Sequence, residues 1–71
     1  MKTLDVTGLS CPEPVVRTIA ALKELSAEQV LVVQADTATA RDNIVRAAGN
    51  MGYDVVVETS EKQFKLTVRK P

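Results

Sequence analysis

Histidine and tryptophan are absent from this 71-residue chain, the aromatic residues are Tyr53 and Phe64 alone, and Cys11 is its one cysteine. Without histidine the chain lacks the side chain that ordinarily serves as a general base near neutral pH, and with it the commonest nitrogen ligand for a metal. One cysteine cannot close an internal disulfide, form a Cys-x-x-Cys redox pair or supply a cysteine-rich zinc site, and a lone thiol suits a reducing compartment. No apolar run approaches the roughly 20 residues that span a bilayer. The first residues, Met1-Lys2-Thr3-Leu4-Asp5, lack the apolar stretch of a secretory leader. The expectation is a soluble cytoplasmic protein with no membrane contact, no metal and no cofactor.

A net charge of one sign is missing too. Nine Lys and Arg balance nine Asp and Glu, whereas a nucleic-acid module ordinarily carries a basic surface that displaces counterions from phosphates. Arg41 and Arg46 are the basic pair on the second predicted helix, five residues apart and so not stacked on one face. Direct nucleic-acid binding therefore ranks last among the functions considered. A chain this short buries only about 60% of its unfolded surface, so nearly every apolar side chain must join one core. Residues 1–71 read as a single unit without a large internal cavity.

What is present is a regular change of hydrophobic period. Leu4 and Val6 alternate with polar neighbours as in a half-buried strand, broken by Thr7-Gly8-Leu9-Ser10. From Pro12 onward Val15, Ile19, Leu22 and Leu25 recur at helical spacing. Val30-Leu31-Val32-Val33 is a continuous β-branched run suited to the middle of a sheet. Asp36-Thr37 offers a turn and a helix cap, followed by Ala40, Ile44, Ala47 or Ala48, and Met51 at helical spacing. Gly52, preferred to Gly49, marks the end of that second helix. Val55-Val56-Val57 predicts a third strand, Ser60-Glu61-Lys62-Gln63 a polar turn, and Phe64 to Arg69 a fourth strand that alternates again.

The order is β-α-β-α-β-β. Strand-helix-strand units imply parallel crossovers and the short last connection an antiparallel hairpin. The expected fold class is an α/β (α+β) two-layer sandwich, a four-stranded mixed sheet with two helices on one face. The other face, with Lys65 and Thr67, is open to water and available to a partner. An exposed edge strand in so small a unit leaves the assembly as a monomer or weak dimer.

The chemistry concentrates in Gly8-Leu9-Ser10-Cys11-Pro12-Glu13-Pro14. The first helix is expected to start at about Cys11 or Pro12, with proline at the first helical position, where its missing N–H costs nothing. Pro14 falls in the same turn. The prolines hold the remaining free amides, those of Glu13 and Val15, near the helix start. A Cys11 thiolate would sit at the positive end of the helix dipole, which lowers a thiol's pKa below its usual ~8.5. Gly8 permits a positive φ that brings the strand end close to the helix start.

The competing reading makes Cys11 a small core hydrophobe, which many free cysteines are. If the thiol reacts, acyl-enzyme hydrolysis is excluded for want of a base, and disulfide exchange for want of a resolving thiol. What survives is a thiolate that takes up a sulfur, holds it as a persulfide and yields it to the next protein.

The same segment resembles the signature of the TusA/SirA/YedF family of small sulfur-carrier proteins, in which a CPxP motif opens the first helix. Asp36-Thr37-Ala38-Thr39-Ala40-Arg41-Asp42 resembles the family's segment after its second strand. Gly52-Tyr53-Asp54-Val55 with the closing hairpin resembles the YedF-like branch in particular, so the likeness covers nearly the whole chain. The resemblance implies that Cys11 accepts sulfur from a cysteine desulfurase-like donor and passes it to a downstream acceptor. Branches of the family lead to tRNA thiolation, molybdenum-cofactor sulfur supply, sulfur oxidation or selenium metabolism. Thr37 stands where tRNA-thiolation members often have proline. The chain ends at Pro71 without the second, DsrE-like domain that YedF-type proteins can carry, which leaves both an excised domain and a stand-alone relative open.

The remaining candidates are weaker. Asp36, Arg41 and Asp42 are candidates for a docking patch, because sites gather where helices start beyond the carboxyl ends of parallel strands. The alternative is that Asp36 or Thr37 caps the helix and Arg41 is solvated. Arg17 is placed to steer an acidic partner loop, or is simply an exposed arginine. Glu13 suits a helix N-terminus, and Tyr53 and Phe64 suit core or sheet-edge packing. The alternative function is a non-catalytic regulatory or interaction module that uses the open sheet face.

Overall fold

A computed structural model describes residues 2–10, 12–26 and 28–70. The elements run β1 (Lys2–Asp5), α1 (Glu13–Lys23), β2 (Val30–Ala35), α2 (Ala38–Asn50), β3 (Asp54–Ser60) and β4 (Gln63–Arg69), the order that the hydrophobic periods predict. The sheet order is β1-β2-β4-β3. β1 pairs parallel with β2, while β4 pairs antiparallel with both β2 and β3. The last strand thus inserts between the second and third, which makes β2 and β4 central and leaves β1 and β3 as edges.

The register sorts the side chains. Leu31, Val33 and Ala35 on β2 lie beside Val68, Leu66 and Phe64 on β4, and these in turn beside Val55, Val57 and Thr59 on β3. This row set faces the helices. Leu31, Val33, Ala35, Leu66 and Val68 make one core with Val6, Leu22, Leu25, Ala40, Ile44 and Ala48, and Phe64 and Val55 pack against it, while Val57 and Thr59 on the edge strand are exposed. Alternation then places Val30, Val32, Gln34, Lys65, Thr67 and Arg69 on the opposite face. The ladder of β1 extends one residue beyond the strand, through the Val6 N–H donating to the Gln34 carbonyl at 2.9 Å.

Two details of α1 depart from the sequence reading. The helix begins at Glu13, one residue late, with Pro12 as its cap at φ −97°, ψ 14° and Pro14 in the first turn. The Pro12 carbonyl accepts from the Val16 N–H at 3.0 Å, and the Glu13 N–H is spent on the Ser10 carbonyl at 2.9 Å, so the Glu13 amide is not a free donor. The buried line of the helix is also rotated from the apolar stripe. Pro14, Thr18 and Leu22 are buried, continued by Leu25, whereas Val15 and Ala21 pack at the flank of the core. A threonine can occupy the buried line because its Oγ1 donates to the Pro14 carbonyl at 2.7 Å, leaving no unpartnered polar atom.

α2 follows expectation more closely. Thr37 is the cap, extended at φ −129°, ψ 149°, and its Oγ1 accepts from the Ala40 N–H at 3.1 Å. Gly49 lies within the helix, and Gly52, at φ +84°, carries the chain out of it. Met51, expected on the buried stripe, is the C-terminal cap just beyond the helix and exposed. The β3–β4 turn is the pair Glu61-Lys62, with Glu61 at φ +50°.

Candidate functional site

Parallel pairing of β1 with β2 brings the carboxyl ends of both strands to one edge of the sheet, so the chain leaving each strand meets the other there. Two aspartates fasten the β1 exit. Asp5 Oδ1 accepts from the Thr7 N–H at 2.9 Å and from the Thr7 hydroxyl at 2.6 Å. These bonds to Thr7, the hydroxyl's first, hold the Asp5 carboxyl below its ordinary pKa. Asp36, at the β2 exit, accepts from the Gly8 N–H through Oδ2 at 3.1 Å across 28 residues of sequence. Gly8 is at φ +77°, a conformation open to glycine without strain. Asp36 is therefore not the helix cap: Thr37 caps, and the exposed Asp36 carboxylate ties the segment before Ser10 to the start of α2.

Between the two exits lies an open groove of about 350 Å³, lined on one side by Leu9, Ser10, Pro12, Pro14 and Val15 and on the other by Thr37, Thr39, Ala40 and Asn43. Among the described residues no charged side chain lines it. A second, shallower depression continues from Pro12 and Val15 along the helix pair past Asn43, Arg46, Ala47 and Asn50. Cys11 lies outside the described residues, and its immediate neighbours Ser10 and Pro12 both line the groove.

The structure brings together some of the sequence candidates and separates others. Gly8 and Asp36 are bonded, and Pro12 and Pro14 line the groove. Glu13 and Arg17 instead pair with each other on the exposed side of α1, Oε2 to Nε at 3.2 Å, the i,i+4 ion pair of a helix surface, worth about 0.3–0.5 kcal/mol. Arg41 pairs with Asp42 at 2.9 Å, and its guanidinium sits 4.6 Å from the centroid of the Phe64 ring. Half-buried over an aromatic face, Arg41 packs α2 against β4, and Asp36 and Asp42 are exposed on either side of it in sequence. Tyr53 lies under the Lys70 ammonium at 5.9 Å. The wall that sequence reasoning missed is the neutral set Thr37, Thr39 and Asn43; the i,i+4 spacing of Thr39 and Asn43, beside the cap, is the signal that was available. Among the described residues no cluster of carboxylates and thiols has the makings of a metal site.

The two-layer sandwich and the proline-bracketed junction at its sheet edge define a SirA-like class of protein. The SirA-like protein from Desulfitobacterium hafniense has a solved structure that superposes with a TM-score of 0.86, 36% identical over 96% of this chain and 95% of that one. More particularly, the family model described as "Sulfurtransferase TusA" matches residues 2–70, and the chain belongs to the TusA family. Similar relatives include the "Putative sulfur carrier protein" of Methanocaldococcus jannaschii, 46% identical over 99% of this chain and 95% of that protein. Another is the sulfur carrier protein TusA of Pseudomonas entomophila, 37% identical over 83% of this chain and 74% of its own. Membership of this family supports a sulfur-carrier role and, with it, protein partners. No helix among the described residues is long and apolar enough to cross a membrane.

Proposed function

We propose that the chain relays sulfur as a persulfide on Cys11. A Cys11 thiolate attacks the outer sulfur of a persulfide carried by a cysteine desulfurase-like donor. The donor's S–S bond breaks, its own sulfur leaves as a thiolate, and a new S–S bond forms at Cys11. The next protein's thiolate repeats the exchange, so neither step needs an oxidant, a metal or a cofactor. The chain has no second thiol to resolve the persulfide internally and no histidine to direct it to hydrolysis, which suits a carrier that receives and hands on.

The observation that supports this reading most is the position of the lone thiol in sequence. It stands between two residues that line an uncharged groove, in a segment fastened by Asp36 through Gly8. An uncharged rim lets a partner's cysteine-bearing loop approach without desolvating a fixed charge. The pathways open to the family, nucleotide thiolation, cofactor sulfuration and selenium metabolism, differ in the acceptor and share this step.

The test is intact-mass analysis after incubation with a purified cysteine desulfurase and cysteine. Wild type gains the mass of one sulfur atom, lost again on treatment with a thiol reductant, and Cys11→Ala gains none while keeping the same melting temperature. An unmodified wild type, or equal modification of Cys11→Ala, refutes the proposal.

A further inference from the structure

The helix-free face of the sheet carries an ordered charge pattern. Reading across the strands, Asp54 is level with Arg69, Val56 with Thr67, and Glu58 with Lys65. The row of Val56 and Thr67 continues to Val32 on β2 and Thr3 on β1. The face is thus a column of two carboxylates on β3, a column of two cations on β4, and an uncharged stripe crossing between them. Val56, at its edge, is 58% exposed. Although Asp54 and Glu58 stand directly opposite Arg69 and Lys65, the ion pairs among the described residues are Glu13–Arg17 and Arg41–Asp42, so these four charges are free for another surface.

From this pattern we infer that the open sheet face self-associates, two copies packing face to face about a two-fold axis that runs parallel to the strands between β3 and β4. That operation lays β3 of one copy over β4 of the other while keeping each row level. Asp54 then meets the second copy's Arg69, Glu58 its Lys65, and Val56 its Thr67, and each contact occurs twice. Other two-folds fail on charge. An axis across the strands sets Asp54 against Glu58 and Arg69 against Lys65. An axis between β4 and β2 sets β3 over β1, and with it Glu58 over Asp5. Edge-to-edge pairing of two β3 strands in one plane gathers their four carboxylates on a single face, a device that discourages such pairing.

The geometry tolerates sheet twist. Aligned sheets cross at about 30° and pack about 10 Å apart. The charged rows lie only about 7 Å from the central stripe, so crossing displaces them by roughly 3 Å, within reach of Lys and Arg side chains. Two strands per copy make a footprint on the order of 300 Å², well below that of a stable complex. The association is accordingly weak, on the order of 1 mM, and sensitive to salt.

Amide NMR over a concentration series reads it. Shifts are expected to grow with concentration at Val56, Thr67 and Glu58, to stay small on both helices and to diminish on adding about 0.5 M NaCl. Lys65→Glu/Arg69→Glu and Asp54→Lys/Glu58→Lys each weaken self-association at least about tenfold, while an equimolar mixture associates more tightly than wild type, with shifts on the same stripe. Retained spectra for each variant alone show that it folds. Concentration-independent spectra up to about 2 mM, shifts confined to helices or to the outer edge of β3, or a mixture whose shifts miss the stripe, each overturn the proposal.

Discussion

Replacing Asp36 by alanine removes one acceptor at 3.1 Å from the Gly8 N–H and, because Thr37 rather than Asp36 caps α2, leaves the helix start intact. A hydrogen bond to a charged group contributes about 1.5–3 kcal/mol, but Asp36 and Gly8 are both exposed and water replaces much of the loss, so about 1 kcal/mol is expected. In a domain of this size that lowers the melting temperature by about 4–8 °C. The same free energy predicts roughly fivefold faster hydrogen exchange at Gly8, since 1.4 kcal/mol corresponds to a factor of ten. The Thr7 amide, held by Asp5, is expected to change less. Asp36→Asn keeps an acceptor oxygen and should fall between wild type and Asp36→Ala on both measures. Unchanged exchange at Gly8 in Asp36→Ala, with the loss appearing instead at the α2 amides, would refute the tie between the two strand exits.

Thr18→Val preserves the volume of a fully buried side chain and, since Thr18 Oγ1 donates to a carbonyl of its own helix, is expected to change chemical-denaturation stability by under about 1 kcal/mol. Thr18→Ala opens a void and should cost about 1–2 kcal/mol; equal losses for the two variants would show that the hydroxyl, not the volume, matters there. The Asp5 carboxyl is held below its ordinary pKa by Thr7, so its stabilising effect is complete above the unfolded carboxyl's pKa and fades as pH falls through that value toward the folded one. The melting-temperature difference between wild type and Asp5→Asn should therefore shrink on acidification from pH 5 into that range (approximately pH 4 and below), and a difference independent of pH would contradict the assignment.

The element order and the chemically distinctive segment were legible because both rest on local rules. β-branched runs, helical spacing in α1 and α2, Gly52 and the Thr37 cap act over a few residues, and proline beside Cys11 announces a helix start wherever the chain then goes. The one-residue error at that start arose because a proline serves equally as cap or first residue; the choice depends on the Glu13 N–H turning back to Ser10. Thr18 was missed for a related reason. Its hydroxyl looks polar in sequence, and only the carbonyl one turn earlier, within 2.7 Å, makes it fit for burial.

Composition alone determined which side chains this sequence offers for chemistry, and the local pattern around Cys11 determined where its one thiol stands in the chain, because residue types and near neighbours need no fold to be read. Contacts between distant segments were left to the tertiary structure. The insertion of β4 between β2 and β3 put a cation column beside an acid column on the open face. Parallel pairing of β1 with β2 set Asp36 against Gly8 and formed the groove, and the docking of α2 on β4 laid Arg41 over Phe64. Each depends on which strands become neighbours, a choice made by burying the whole apolar set at once, which no window of the sequence contains.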